Sequence, residues 1–223
     1  MIQYASEFNP ALTKTDDDAK FYWKNDQFSY CDAMAYYCLI RKLKPKNIVE
    51  IGSGFSTLVA IEAVKKNEFG KIHCFEPFPR RFLADNTSIN LYPKIAQHIS
   101  SEELNSIITE GDILFIDSTH TVKTGSDCNH IYLRLLPSIK QNFHIHVHDI
   151  FLPFGLPQNW LTDSQIYWTE QYLLYAFLLD NPKTKVFYSS YYGYNFVKEK
   201  LEKIMNKKYP IGGGSLWFNY NNK

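Results

Sequence analysis

Between residues 47 and 148 the chain alternates short β-rich runs with helix-like segments, and this rhythm limits the available folds more than any other feature. The runs are Asn47–Ile51, Lys71–Phe75, Ile95–Ile99, Asp112–Ile116 and Phe143–His148. Between the last two, Cys128, Ile131, Tyr132, Leu135 and Leu136 recur at the spacing of one buried helical stripe. A helix over Asp32–Lys42 precedes the first run, and Pro45 ends it. Strand and helix in repeated alternation require an open parallel sheet covered on both faces, a doubly wound α/β fold.

The rhythm changes after residue 150. The segment FLPFGLPQNWLTD, residues 151–163, holds Pro and Gly in an apolar loop longer than most connections, which reads as a lid. A helix over Ser164–Leu179 and a strand over Lys185–Ser189 follow. Next comes a helix with Val197, Leu201, Ile204 and Met205 on one face, and then a last strand over Ser215–Asn219. Residues 1–28 are polar and carry the run Asp16-Asp17-Asp18, so they read as a solvated arm, leaving residues 29–223 as a single domain.

Charge excludes some functions. Lys and Arg number 24 against 23 Asp and Glu, which argues against broad attraction to nucleic acid or an anionic membrane. No stretch has the ~20 apolar residues of a membrane span, and the start lacks a signal-like region, so a soluble cytoplasmic protein is expected. The four cysteines show no CxxC pair or zinc-ligand spacing and read as free buried thiols. A small-molecule substrate is the expected partner, and a homo-oligomer remains open.

The first strand runs into Glu50-Ile51-Gly52-Ser53-Gly54-Phe55-Ser56-Thr57, where glycines let backbone approach a ligand closely. Glu76 ends the next strand roughly 20 residues on, where a carboxylate can accept from ribose hydroxyls. Together they indicate a nucleoside-bearing cofactor. The plainer alternative is a glycine turn beside a surface glutamate, and Thr57 stands where a dinucleotide fingerprint has its third glycine.

Four motifs in order, VEIGSGFST, CFEPFPR, GDILFIDSTHTVKTGSD and HVHDIFLPF, resemble the class I S-adenosylmethionine-dependent methyltransferases, and within them the methyltransferase family 24 branch. The resemblance runs from about Tyr30 to Phe218. It implies a Rossmann-like, mostly parallel seven-stranded sheet in the order 3-2-1-4-5-7-6 with strand 7 antiparallel. It also implies S-adenosylmethionine as cofactor. On it, Glu50, Gly52, Ser53 and Gly54 are similar to the loop around the methionine part, Glu76 to the ribose carboxylate, and Ser101 to an adenine contact. Asp117 resembles the acidic residue that faces the methionine amine, the substrate or a metal, and Asp32 a position near the cofactor carboxyl end. As a helix N-cap, Asp32 needs no such role.

O-methylation needs a general base or a metal to help the acceptor hydroxyl lose its proton. The strand ends offer Asp117, His120, His148 and Asp149. In HIHVHDIF, His144 and His148 would lie roughly 13 Å apart, too far for all three histidines to ligate one ion. His144 and His146 therefore read as packed strand residues, and His148 as the one that reaches the edge. One reading makes His148 or His120 the base beside Asp117. The other has Asp117, His148 and Asp149 hold Mg2+. The metal-free base is preferred, because a histidine stands where hard Mg2+ wants oxygen. The expected function is thus methyl transfer to a hydroxyl of a sugar or secondary metabolite. The alternatives are an NAD-dependent Rossmann oxidoreductase and a non-catalytic cofactor-binding relative. Trp160, Tyr167, Trp168, Glu170, Gln171 and Tyr175 are expected around the acceptor.

Overall fold

A computed structural model describes residues 1–221. Seven strands form one sheet: β1 (Asn47–Ile51), β2 (Lys71–Phe75), β3 (Asn90–Tyr92), β4 (Ile113–Ile116), β5 (Phe143–Val147), β6 (Thr184–Ser189) and β7 (Leu216–Tyr220). Their order is β3-β2-β1-β4-β5-β7-β6. β7 is antiparallel to both its neighbours, while the pairs from β3 to β5 are parallel. The strands therefore direct the carboxyl ends of β1, β2, β4 and β5 to one edge, where a doubly wound sheet binds its ligands.

The strand side chains alternate between two cores. Ile113 and Phe115 of β4 join the cluster under the helices Tyr30–Leu43 and Phe55–Asn67. Leu114 and Ile116 join the opposite cluster, which includes the buried stripe Cys128, Ile131, Tyr132, Leu135 and Leu136. That stripe winds as a helix over Asp127–His130, a π-helical turn over Ile131–Leu135 and a helix over Leu136–Ser138. All four cysteines are free and buried.

Several sequence expectations shift. The third strand is Asn90–Tyr92 rather than Ile95–Ile99. Pro93 ends that short edge strand, and the apolar pair Ala96 and Ile99 is buried from a 3-10 turn instead. The helix expected over Ser164–Leu179 is confined to Glu170–Leu178. The late helix divides into Ser190–Phe196 and Lys198–Ile204, and Val197 at the junction is exposed. Residues 1–28 are not a free arm. Asp16, Asp17 and Asp18 are exposed, but Phe8, Phe21, Trp23 and Phe28 are buried in the main core, where Phe8 stacks on Tyr37 at 4.6 Å. Hydrophobic burial of four large rings outweighs the polarity of the intervening residues. Among the described residues no helix is long and apolar enough to cross a membrane.

Candidate functional site

The glycine loop after β1 is shaped by one tight approach. Gly52 has φ +85°, and a Cβ there would overlap the backbone carbonyl of Asp117 at the end of β4. Only glycine allows the two strand ends to meet so closely. Gly52 donates its N–H to Phe75 O at 3.0 Å, and Asp117 N–H donates to Ile51 O at 2.9 Å, which locks β1, β2 and β4 at this edge.

Two cavities open on the loop, of about 240 and about 340 Å³, and both are bounded by Gly52, Glu76, Phe78 and Asp117. The smaller adds Ser53, Gly54 and, from the N-terminal segment, Gln27 and Phe28. The larger adds Ala96, Gln97 and Thr119. Glu76 stands between them, accepting N–H bonds from Ser53 at 3.2 Å and Phe78 at 2.9 Å, and its carboxylate keeps further acceptor capacity. The Ser53 hydroxyl is buried without a hydrogen-bond partner. The close backbone, the orphaned hydroxyl and the carboxylate together fit a cofactor that carries polar groups and a ribose.

Two residues expected around the cofactor lie elsewhere. Glu50 is fully buried and points away from both cavities, accepting from the hydroxyls of Tyr36 at 2.9 Å and Thr57. It belongs to the scaffold behind the loop. Burial raises its carboxyl to about 7 even though Thr57 and Tyr36 donate to it. Ser101 sits in the first turn of the helix Ser101–Ile107, capped by Ser100, while Ala96 and Gln97 line the cavity instead.

A third cavity of about 440 Å³ adjoins at Gln27 and is walled by Tyr30, Phe151, Trp160, Tyr191 and Tyr194, with His148 and Asp149 lining it. The loop 151–163 contributes Phe151 and Trp160. Of the residues expected around an acceptor, Trp160 alone lines this cavity. Tyr175 faces an apolar groove beside β6, and Trp168 stacks on the ring of His120 at 4.2 Å.

A cluster of histidines and carboxylates stands where these cavities meet. His120 Nε2 lies 3.1 Å from Asp117 and 3.8 Å from Asp149. His148 Nδ1 lies 3.5 Å from both carboxylates. His120 and Asp149 each hold a left-handed backbone, φ +57° and φ +55°, a conformation costly for residues other than glycine and concentrated at functional sites. The far nitrogens are also engaged: His120 Nδ1 meets Glu170 at 2.6 Å, and His148 Nε2 meets Asp32 at 3.3 Å. Burial works against charge on His120, yet its bonds to Asp117 and Glu170 lift it to about 10. His148 is likewise raised, against burial, by Asp149 and Asp117. Burial lifts Asp149 to about 6 against the pull of His148.

Glu170, expected around an acceptor, and Asp32, expected near the cofactor or as a helix cap, stand behind His120 and His148. Glu170 is buried and accepts from Tyr132 Oη at 2.8 Å, so it backs His120 rather than facing an acceptor. The helix cap is Ser29, and Asp32 in the following turn accepts from Ser190 Oγ at 2.6 Å and from the Gly214 and Ser215 N–H groups at 2.9 and 3.1 Å. Gly213, at φ +126°, lies against the same carboxylate, where a Cβ would collide. An acidic residue in a helix first turn and a triple glycine were the visible signals, but their pairing is long-range. His144 and His146 bond Asn219 and Ser215, and His146 stacks on Trp217 at 4.3 Å.

Residues 49–150 match a sequence family described as a methyltransferase domain. An uncharacterized protein of Archaeoglobus fulgidus is 43% identical over 65 residues, 28% of this chain and 29% of that protein's length. Among solved structures, a putative O-methyltransferase from Klebsiella pneumoniae aligns with TM-score 0.51 and 15% identity, over 100% of this chain and 86% of its own. The O-methyltransferase TomG from Streptomyces achromogenes, in complex with SAM, aligns with TM-score 0.51 and 11% identity, over 88% and 82%. An O-methyltransferase from Bacillus cereus in complex with SAH gives 0.51 and 11%, over 99% and 88%. At these identities the structures bear on the fold.

Proposed function

We propose that this chain, which carries a class I S-adenosylmethionine-dependent methyltransferase domain, methylates an oxygen of a small-molecule acceptor, a sugar or secondary-metabolite hydroxyl. The observation that carries the proposal is the position of one cluster at the junction of all three cavities. Asp117 lines the two on the glycine loop, while His148 and Asp149, within 3.5 Å of one another, line the aromatic one.

When bound, S-adenosylmethionine supplies an activated methyl group. The chain's own contribution is alignment and proton management, as a direct displacement demands. Gly52, Ser53 and Gly54 offer backbone and a free hydroxyl, and Glu76 offers carboxylate oxygens to ribose hydroxyls. The rings of Phe151 and Trp160, 5.0 Å apart and edge to face, wall the acceptor side. The proton of the acceptor hydroxyl leaves toward the Asp149 carboxylate, which lines that cavity, while His148, held protonated by Asp149 and Asp117, helps keep that carboxylate ionised. His120 backs the pair through Asp117 and lines none of the three cavities.

The test is turnover of methyl-labelled S-adenosylmethionine against a panel of hydroxylated acceptors, with calorimetry of S-adenosylhomocysteine beside it. The combined His148→Ala and Asp149→Ala variant is expected to keep product binding and lose turnover by about 100-fold or more. Unchanged turnover in that variant, or no product binding by the wild type, overturns the proposal.

A further inference from the structure

The histidine–carboxylate cluster has the arrangement of a metal site, and its donors differ from the oxygen set that Mg2+ requires. We propose that Asp117, His120 and Asp149, with His148 beside both carboxylates, hold one borderline divalent transition ion, of the Mn2+, Fe2+, Co2+ or Zn2+ kind, in preference to Mg2+.

Spacing is the first argument. His120 Nε2 and His148 Nδ1 face the same two carboxylates at 3.1 to 3.8 Å. Donors about 2.0–2.2 Å from a tetrahedral ion lie roughly 3.4 Å from one another, close to the 3.1 and 3.8 Å that separate His120 Nε2 from the carboxylates of Asp117 and Asp149. The groups of Asp117, His120 and Asp149 lie within 4.8 Å of one another in every pairing. The second argument is a buried nitrogen that makes no hydrogen bond. His148 is 3% exposed, its Nδ1 has no hydrogen-bond partner, and that nitrogen is the one aimed at the carboxylates.

The outer partners supply the third argument. A metal-ligating imidazole characteristically gives its far N–H to a carboxylate, which fixes the tautomer and turns the other nitrogen's lone pair to the ion. Both imidazoles here have that partner: Glu170 at 2.6 Å behind His120 and Asp32 at 3.3 Å behind His148. Each partner is itself anchored, Glu170 by Tyr132 and Asp32 by Ser190 and the 214–215 backbone. Ligation takes the imidazole neutral, and the carboxylates of Asp117 and Asp149 then leave a charge of about −2, which a divalent ion neutralises in place of the protons it displaces. Imidazole nitrogen favours ions later in the first transition row, whereas Mg2+ takes oxygen in near-octahedral geometry. The sequence-based triad of Asp117, His148 and Asp149 with Mg2+ thus takes His120 in place of His148 and changes its metal.

The ion's use rests on the methyl-transfer reading above, since a Lewis acid beside the aromatic cavity lowers the pKa of an acceptor hydroxyl. Its presence does not. The test is titration of chelator-stripped protein with cobalt(II) chloride, followed by visible absorption. One Co2+ per chain with bands of low-symmetry coordination is expected, displaced by Zn2+ and resistant to a large excess of Mg2+. Glu170→Gln keeps the shape behind His120 and should weaken Co2+ by about 10- to 100-fold while S-adenosylhomocysteine binds as before. Absence of a saturable Co2+ signal, displacement by Mg2+ at comparable concentration, or wild-type Co2+ affinity in Glu170→Gln overturns the proposal. Product binding retained without a cobalt signal rejects the ion alone. A cobalt signal without product binding rejects the methyl-transfer reading alone.

Discussion

Replacing Glu50 by Gln should change how stability depends on pH, because this carboxyl is fully buried behind the glycine loop. Burial raises it from 4.5 to about 7, against the lowering effect of its bonds to Thr57 and Tyr36. A carboxyl whose folded pKa lies above its unfolded value favours the folded state while both forms hold the proton. That contribution is fully present below about pH 4.5 and is lost as pH rises through about 7. The interval is about 2.5 units, and at about 1.4 kcal/mol per unit the loss amounts to about 3.4 kcal/mol. Glutamine keeps the shape and an acceptor oxygen but cannot ionise. Urea unfolding of both proteins from about pH 4.5 to about pH 8 isolates this group, since all other titrations cancel in the difference. The variant should gain about 3 kcal/mol on the wild type across that range. A difference independent of pH, or one that favours the wild type as pH rises, would refute the burial argument.

Other outcomes follow from the same geometry. Gly52→Ala forces a Cβ into the carbonyl of Asp117 at φ +85°, so S-adenosylhomocysteine binding should be lost and the melting temperature should fall by several degrees in a thermal scan. Asp32→Asn removes one of the three carboxylates around His148 and weakens the anchor of the 214–215 backbone, and unfolding in urea should show a cost of about 1–3 kcal/mol. Trp23→Ala should cost about 3–5 kcal/mol, because the ring is wholly buried and packs on Phe8, Phe21 and Tyr209; a neutral result would restore the solvated arm.

What the sequence discloses divides by distance along the chain. The strand–glycine loop–helix unit and Glu76 are local patterns, and Gly52 and Glu76 line the same two cavities. The seven-stranded order follows from the resemblance and agrees with the sheet. β3 escapes notice because three residues before Pro93 carry no periodicity. Glu50 was readable in principle. In a strand, Val49 and Ile51 share the face opposite to it, and with those two in the core below β4, Glu50 must face the helix Tyr30–Leu43. The pairs His120–Glu170 and His148–Asp32 join residues 50 and 116 positions apart, and no local signal announces such partners. The buried N-terminal rings are similar, since Phe8, Phe21 and Trp23 are scattered among polar residues and only tertiary packing gathers them.

The central claim is that the glycine loop and Glu76 build a site for S-adenosylmethionine at the carboxyl ends of β1 and β2. Calorimetric titration with S-adenosylhomocysteine, on the wild type and on Glu76→Ala, tests it most directly. The account predicts one site per chain in the wild type and affinity weakened by about 30-fold in the variant, equivalent to about 2 kcal/mol for lost bonds to a charged acceptor. Equal affinity in the two proteins, or no binding by the wild type, would contradict it.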